Sequence, residues 1–200
     1  MSILGGAVVE WQCDPRGTAP RVYFANHSSH LDFVAIWSAL PRGARRRVRP
    51  VAGRDYWHRT PARRFLASRV FHAVLVDRGG VASGRGAARA SLDRMAGEVA
   101  ARHSLIVFPE GTRSLDGEVG AFKSGLFHLA RLCPEAELVP VYVDNLHRVL
   151  PKGEFLPVPM LSRIVFGAPL GPVTDEGKQL FLTRARDALL QLRGCHDATH

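Results

Sequence analysis

Apolar residues are grouped along the chain into short β-rich runs that alternate with longer stretches of helical spacing. Ala7–Trp11, Arg21–Ala25, Val48–Gly53, Ala73–Val76, Ser104–Phe108, Leu138–Val143 and Ser162–Phe166 read as strands. From Leu31 to Leu40 the apolar positions Leu31, Val34, Ala35 and Ala39 share a helical face, and Pro41 closes the helix. Pro61 to Val70 reads as a helix with proline in its first turn. Gly86 to Ala101 and Lys123 to Leu132 are further helices, and Thr174-Asp175 opens a last one that reaches about Leu192. This alternation predicts an α/β fold: a single domain over residues 1–200 with a mostly parallel or mixed central sheet flanked by helices.

In open α/β sheets, ligands sit at loops beyond the carboxyl ends of strands. Three such loops, 26–32, 77–80 and 109–114, carry unusual residues. The first is Asn26-His27-Ser28-Ser29-His30-Leu31-Asp32. A separation of five residues spans about 140° around a helix, so His27 and Asp32 cannot share a helical face. His27 therefore belongs to the turn and Asp32 to the first helical turn, where its carboxylate can orient one ring nitrogen and leave the other to take a proton. That is the pattern of a general base. The same segment also suits a plain helix start, with Ser28 or Ser29 as N-cap and Asp32 at the positive helix end. His30 is a rival base, poorly spaced from Asp32.

Phe108-Pro109-Glu110-Gly111-Thr112-Arg113-Ser114 follows a strand directly. Pro109 ends the pairing, Gly111 lets a ligand approach the backbone, and Arg113 offers a forked donor set suited to phosphate oxygens. Glu110 fits an anion site poorly by charge; it would orient Arg113 or accept a hydrogen bond from a glycerol hydroxyl. Arg78, just past the strand ending at Val76, points to the same side of the sheet by topology, with a surface ion pair to Asp77 as the bland alternative. No Gly-rich loop ending in Lys-Ser/Thr is present, which argues against a nucleotide triphosphatase.

Charge sharpens this picture. The chain carries 24 Arg and 3 Lys against 18 acids, a net charge of +9. Ten of those arginines (42, 45, 46, 47, 49, 54, 59, 63, 64 and 69) fall in 28 residues that contain one acid, Asp55. Interleaved with Tyr56, Trp57, Phe65 and Leu66, the Arg42–Arg69 belt suits an anionic membrane surface or a phosphorylated partner. A merely solvated basic face is the alternative. Cys13, Cys133 and Cys195 are widely spaced and give no disulfide framework or metal pair. No window approaches the roughly 20 apolar residues of a spanning helix, so a cytoplasmic, peripheral location at the inner face of the membrane is expected.

Together these blocks resemble the 1-acyl-sn-glycerol-3-phosphate acyltransferase (lysophospholipid acyltransferase) family. The resemblance rests on Asn-His-x4-Asp at 26–32, the strand-ending Val74-Leu75-Val76-Asp77-Arg78, and the complete Phe-Pro-Glu-Gly-Thr-Arg-Ser at 108–114. Phe122-Lys123-Ser124-Gly125 and the proline-centred strand Leu138 to Val143 follow in the family's order. The second block lacks the Gly often found at its start. The resemblance implies that His27 deprotonates the free hydroxyl of a lysophospholipid, which attacks the thioester of acyl-CoA or acyl carrier protein while Asp32 stabilises the imidazolium. It implies that Arg78, Glu110, Gly111, Thr112 and Arg113 bind the glycerol phosphate and that Pro140 helps shape the acyl or donor site, with no metal or cofactor. Another lysolipid acceptor, a basic lipid- or nucleic-acid-binding module, and a hydrolase using Ser28 or Ser29 are the competing readings. The last lacks a Gly-x-Ser-x-Gly elbow, and no nucleic-acid fold signature appears.

Overall fold

The central strands are apolar at almost every position because helices cover both faces of their sheet. The computed structural model describes residues 2–4, 7–29, 31–57, 59–77, 85–114, 116–144 and 162–194. The strands are β1 (Ser2–Leu4), β2 (Ala7–Trp11), β3 (Arg21–Ala25), β4 (Val48–Gly53), β5 (Val74–Val76), β6 (Ser104–Val107), β7 (Glu137–Asp144) and β8 (Ser162–Phe166). They form one sheet of order β1-β2-β8-β7-β3-β6-β4-β5. The run from β7 through β3, β6 and β4 to β5 is parallel, whereas β7–β8 and β1–β2 pair antiparallel. The sheet is therefore mixed, as the alternating pattern predicts.

Alternate residues of each strand feed two cores. On one side Val22, Phe24, Leu105, Val107 and Leu138 pack against helices α5 (Arg85–Ala100), α6 (Gly125–Leu132) and α7 (Lys178–Gly194). On the other, Tyr23, Ala25, Ile106, Val139 and Val141 meet Ile36 and Leu40 of α1 (Asp32–Ala39). At the base of the sheet, Arg21 is buried and donates through Nε to Glu137 (2.7 Å) and through a terminal nitrogen to the Asp14 carbonyl (2.7 Å).

The structure departs from the sequence reading in three ways. The expected helix 61–70 splits into α4 (Pro61–Phe65), capped by the Thr60 hydroxyl, and a π-helical turn at Leu66–Val70. Its wide turn is closed by Phe71 N–H on the Leu66 carbonyl (3.0 Å), and it delivers Phe71 edge-on to Phe33 and Trp37. The last helix opens at Lys178 rather than at Thr174. Arg184 reaches back to the carbonyls of Gly171 and Pro172 and to the Glu176 carboxylate, which holds the intervening chain off the helical path. The third departure lies in the short elements that periodicity does not reveal: β1, α2 (Arg42–Arg45) and α3 (Arg54–Trp57).

Candidate active site

Parallel strands bring their carboxyl ends to one edge, and there β3 and β6 release the loops that carry His27 and Glu110. Asn26 prolongs the β3–β7 ladder with its side chain. Its Nδ2 donates to the Val143 carbonyl (2.9 Å) and its Oδ1 accepts Val143 N–H (2.8 Å). The chain is thus still anchored to the sheet one residue before His27.

Asp32 begins α1 and is fully buried. Its Oδ2 accepts the backbone N–H groups of Ser28 (2.7 Å) and Ser29 (2.8 Å), and it lies 3.0 Å from His27 Nδ1. Two N–H donors on that oxygen leave Nδ1 as the donor of the third contact and Nε2 as the nitrogen able to take a proton. No serine side chain caps α1, so the turn is closed by the aspartate instead. The Ser29 hydroxyl accepts Leu31 N–H (3.2 Å). The His27 ring stacks on Phe108 with centroids 4.1 Å apart, and its side chain is 12% exposed.

The peptide of His27 is gripped as firmly as its ring. His27 N–H donates to Glu110 Oε1 (2.9 Å), and the His27 carbonyl accepts Ser114 N–H (2.8 Å). Glu110 Oε2 accepts Gly120 N–H (2.9 Å). Both carboxylate oxygens of Glu110 thus meet backbone amides, and neither of these bonds runs to Arg113. Gly111 has φ +73°, and a Cβ there would lie 2.6 Å from Lys123 Nζ, so the left-handed glycine lets the lysine lie across the turn. Thr112, Arg113 and Lys123 are exposed. Among the described residues neither cation has an ion-pair partner.

Behind His27 a cavity of ≈ 180 Å³ opens between β4, β5, α5 and α6. It is lined by His27, Phe108, Gly111 and Lys123 together with the apolar side chains of Ala52, Val76, Met95, Val107, Leu126 and Leu129. Pro140 is not among its lining residues; it sits in the middle of β7, opposite Phe24, with its carbonyl bonded by Gly167 N–H (2.9 Å). Arg78 and His30 lie outside the described residues. The carboxylate of Asp77 is taken by Arg54 (3.1 Å) and Arg94 (3.6 Å). Within the basic belt, Arg45 donates to the Leu40 carbonyl and lies over Trp37, and Arg49 donates to the Arg46 carbonyl. With Arg54 on Asp77, these belt arginines serve the protein itself, whereas Arg42, Arg46, Arg47, Arg59, Arg64 and Arg69 are exposed.

Sequence reasoning paired His27 with Asp32 but missed what Asn26, Phe108, Glu110 and Gly120 do. Lys123 was legible only as part of a motif.

A 1-acyl-sn-glycerol-3-phosphate acyltransferase of Limnanthes alba is 32% identical over 175 residues, covering 86% of this chain and 57% of the relative. The human 1-acyl-sn-glycerol-3-phosphate acyltransferase alpha is 27% identical over 175 residues, covering 86% of this chain and 58% of its own length. The chain thus spans little more than half the length of these curated relatives. In fold it resembles the crystal structure of the 1-acyl-sn-glycerophosphate (LPA) acyltransferase PlsC from Thermotoga maritima, with a TM-score of 0.70 at 20% identity over 96% of this chain and 72% of that one. The family model described as Acyltransferase matches residues 13–144, and the chain belongs to that family.

Proposed function

We propose that this protein transfers a fatty acyl group from a thioester donor, acyl-CoA or acyl carrier protein, to the free hydroxyl of 1-acyl-sn-glycerol-3-phosphate. The observation that carries this reading is the His27 Nδ1–Asp32 Oδ2 contact of 3.0 Å, with His27 lining an apolar cavity. His27 Nε2 takes the hydroxyl proton as the oxygen attacks the thioester carbonyl. The C–O bond forms, the C–S bond breaks, and the proton passes from the imidazolium to the departing thiolate. Asp32 stabilises the imidazolium and fixes the tautomer.

Gly111, Thr112, Arg113 and Lys123 receive the acceptor's phosphate, since exposed cations beside a glycine turn suit an anion. Arg78 belongs to the same set by resemblance. The apolar cavity suits an acyl chain, whose methylenes each gain about 0.8 kcal/mol on leaving water. The enzyme works peripherally on an anionic bilayer at its cytoplasmic side. Phe65 (60% exposed), Leu66 (40%) and Val70 (42%) stand out beside Arg64 and Arg69, and the same segment is tied to α1 through Phe71. No helix among the described residues is long and apolar enough to cross a membrane.

The test is purified protein with labelled acyl-CoA or acyl carrier protein and a panel of lysolipids, read by mass spectrometry. Acylation of lysophosphatidic acid is expected. His27→Ala should lower turnover about 10²–10⁴-fold with an unchanged circular dichroism spectrum. Substantial residual turnover would remove His27 from the role of base.

A further inference from the structure

We infer that Glu110 is a positioning residue for the His27 base and not a ligand of the acceptor. The inference rests on the reading of His27 as base and assigns Glu110 a task within it. A carboxylate that met a substrate hydroxyl would turn a lone pair to the cavity. Pro109 and Gly111, its chain neighbours, both line the cavity, but Glu110 does not, and it is only 7% exposed.

Its two oxygens instead bridge separate loops. Oε1 holds His27 N–H at 2.9 Å and Oε2 holds Gly120 N–H at 2.9 Å. The absence of a side chain at Gly120 leaves room for this approach: a Cβ would lie 3.0 Å from Oε2. The Gly120 side of the bridge is itself braced, because Arg186 of α7 donates to the carbonyls of Val119 (2.7 Å) and Gly120 (3.2 Å). Ser114 N–H on the His27 carbonyl (2.8 Å) completes the grip. A charged acceptor facing two N–H donors makes stronger bonds than a neutral one. The result is a strut that sets the height of the His27 peptide above the sheet and so the reach of its ring.

Glu110→Gln tests this. A glutamine has one acceptor oxygen, and its NH₂ would confront one of the two N–H donors. Expected is a fall in kcat of about 10- to 100-fold with the KM for lysophosphatidic acid changed by less than about twofold. The downfield proton resonance of the His27 Nδ1–H···Asp32 bond should shift or broaden, a change visible without substrate. Gly120→Ala, which presses a methyl on Oε2 from outside the substrate site, should give a smaller loss of the same kind and carries the test where Glu110→Gln fails to fold. A tenfold or greater rise in acceptor KM with kcat preserved would make Glu110 a ligand and overturn the inference. So would wild-type kinetics with an unmoved resonance. Absence of acyl transfer by the wild-type protein would instead overturn the reading of His27 on which the inference rests.

Discussion

His27 is fixed at four points: Nδ1 on Asp32, ring face on Phe108, N–H on Glu110 and C=O under Ser114 N–H. A base so held meets its proton without reorganising, which is where positioned groups gain over free ones. Asp32→Asn keeps the volume but places an NH₂ where Nδ1–H and two backbone donors converge, so it favours the wrong tautomer. Turnover should drop about 10²–10⁴-fold and the melting temperature should fall, because buried donors lose their acceptor; steady-state kinetics beside a melting curve would read both. Arg113 is exposed, so Arg113→Ala should raise the acceptor KM about tenfold, the cost of one charge-assisted bond, with kcat nearly unchanged; an unaltered KM removes it from the phosphate site. Cys133 is 2% exposed, and burial, helped by the Glu135 charge, pushes its thiol up to about 11. At pH 8 it should resist alkylation until the protein unfolds, which mass spectrometry would follow. The His27–Asp32 pair is one of the readings that the spacing allows, and the family resemblance selects it. Asn26, Glu110 and Ser114 are not legible in the same way, because each acts on backbone far along the chain: Val143 for the first and His27 for the other two. No local pattern encodes a partner 83 or 117 positions away.

Strands were easy to read for a physical reason. With both faces covered, β3, β6 and β7 show buried apolar runs that no surface strand would carry. Helix ends were harder, since tertiary contacts set them. Arg184 delays α7, and the turn at Leu66–Val70 trades α-helical bonding for delivery of Phe71 to α1. The parallel order around β3, β6 and β4 also explains why loops distant in sequence share one cavity. Ala52 of β4 lines that cavity. Ala52→Leu should fill part of its depth, lowering transfer from long-chain donors several-fold more than from short-chain ones, because each displaced methylene forfeits about 0.8 kcal/mol. A donor series from six to eighteen carbons (chain lengths roughly spanning soluble to membrane-bound thioesters) would reveal the shift; equal losses at every length would take the acyl chain out of this cavity.

The molecule as a whole carries +9, and the Arg42–Arg69 segment alone has that same excess. Folding divides the segment in two. Arg45, Arg49 and Arg54 are spent on carbonyls and on Asp77, while Arg59, Arg64 and Arg69 stay exposed beside the bare side chains of Phe65, Leu66 and Val70. The two halves should respond differently to substitution. A basic residue near an anionic bilayer contributes about 1 kcal/mol, and this attraction fades with salt. Replacing Arg59, Arg64 and Arg69 by Gln should weaken partitioning onto phosphatidylserine vesicles about 100-fold at low ionic strength, and flatten its salt dependence, with thermal stability intact. Phe65→Ser with Leu66→Ser should weaken partitioning equally at low and high salt, since apolar insertion is not screened. Arg54→Gln should leave vesicle affinity nearly unchanged and act on stability, as its guanidinium ties α3 to the end of β5. Vesicle flotation across a salt series separates these outcomes, with a duplex DNA competitor in parallel. Displacement of the vesicles by DNA at equal phosphate concentration would mark the belt as a general polyanion site. Retention of the vesicles would mark charge and exposed apolar side chains acting together, a combination that a lipid surface rewards and a nucleic acid does not.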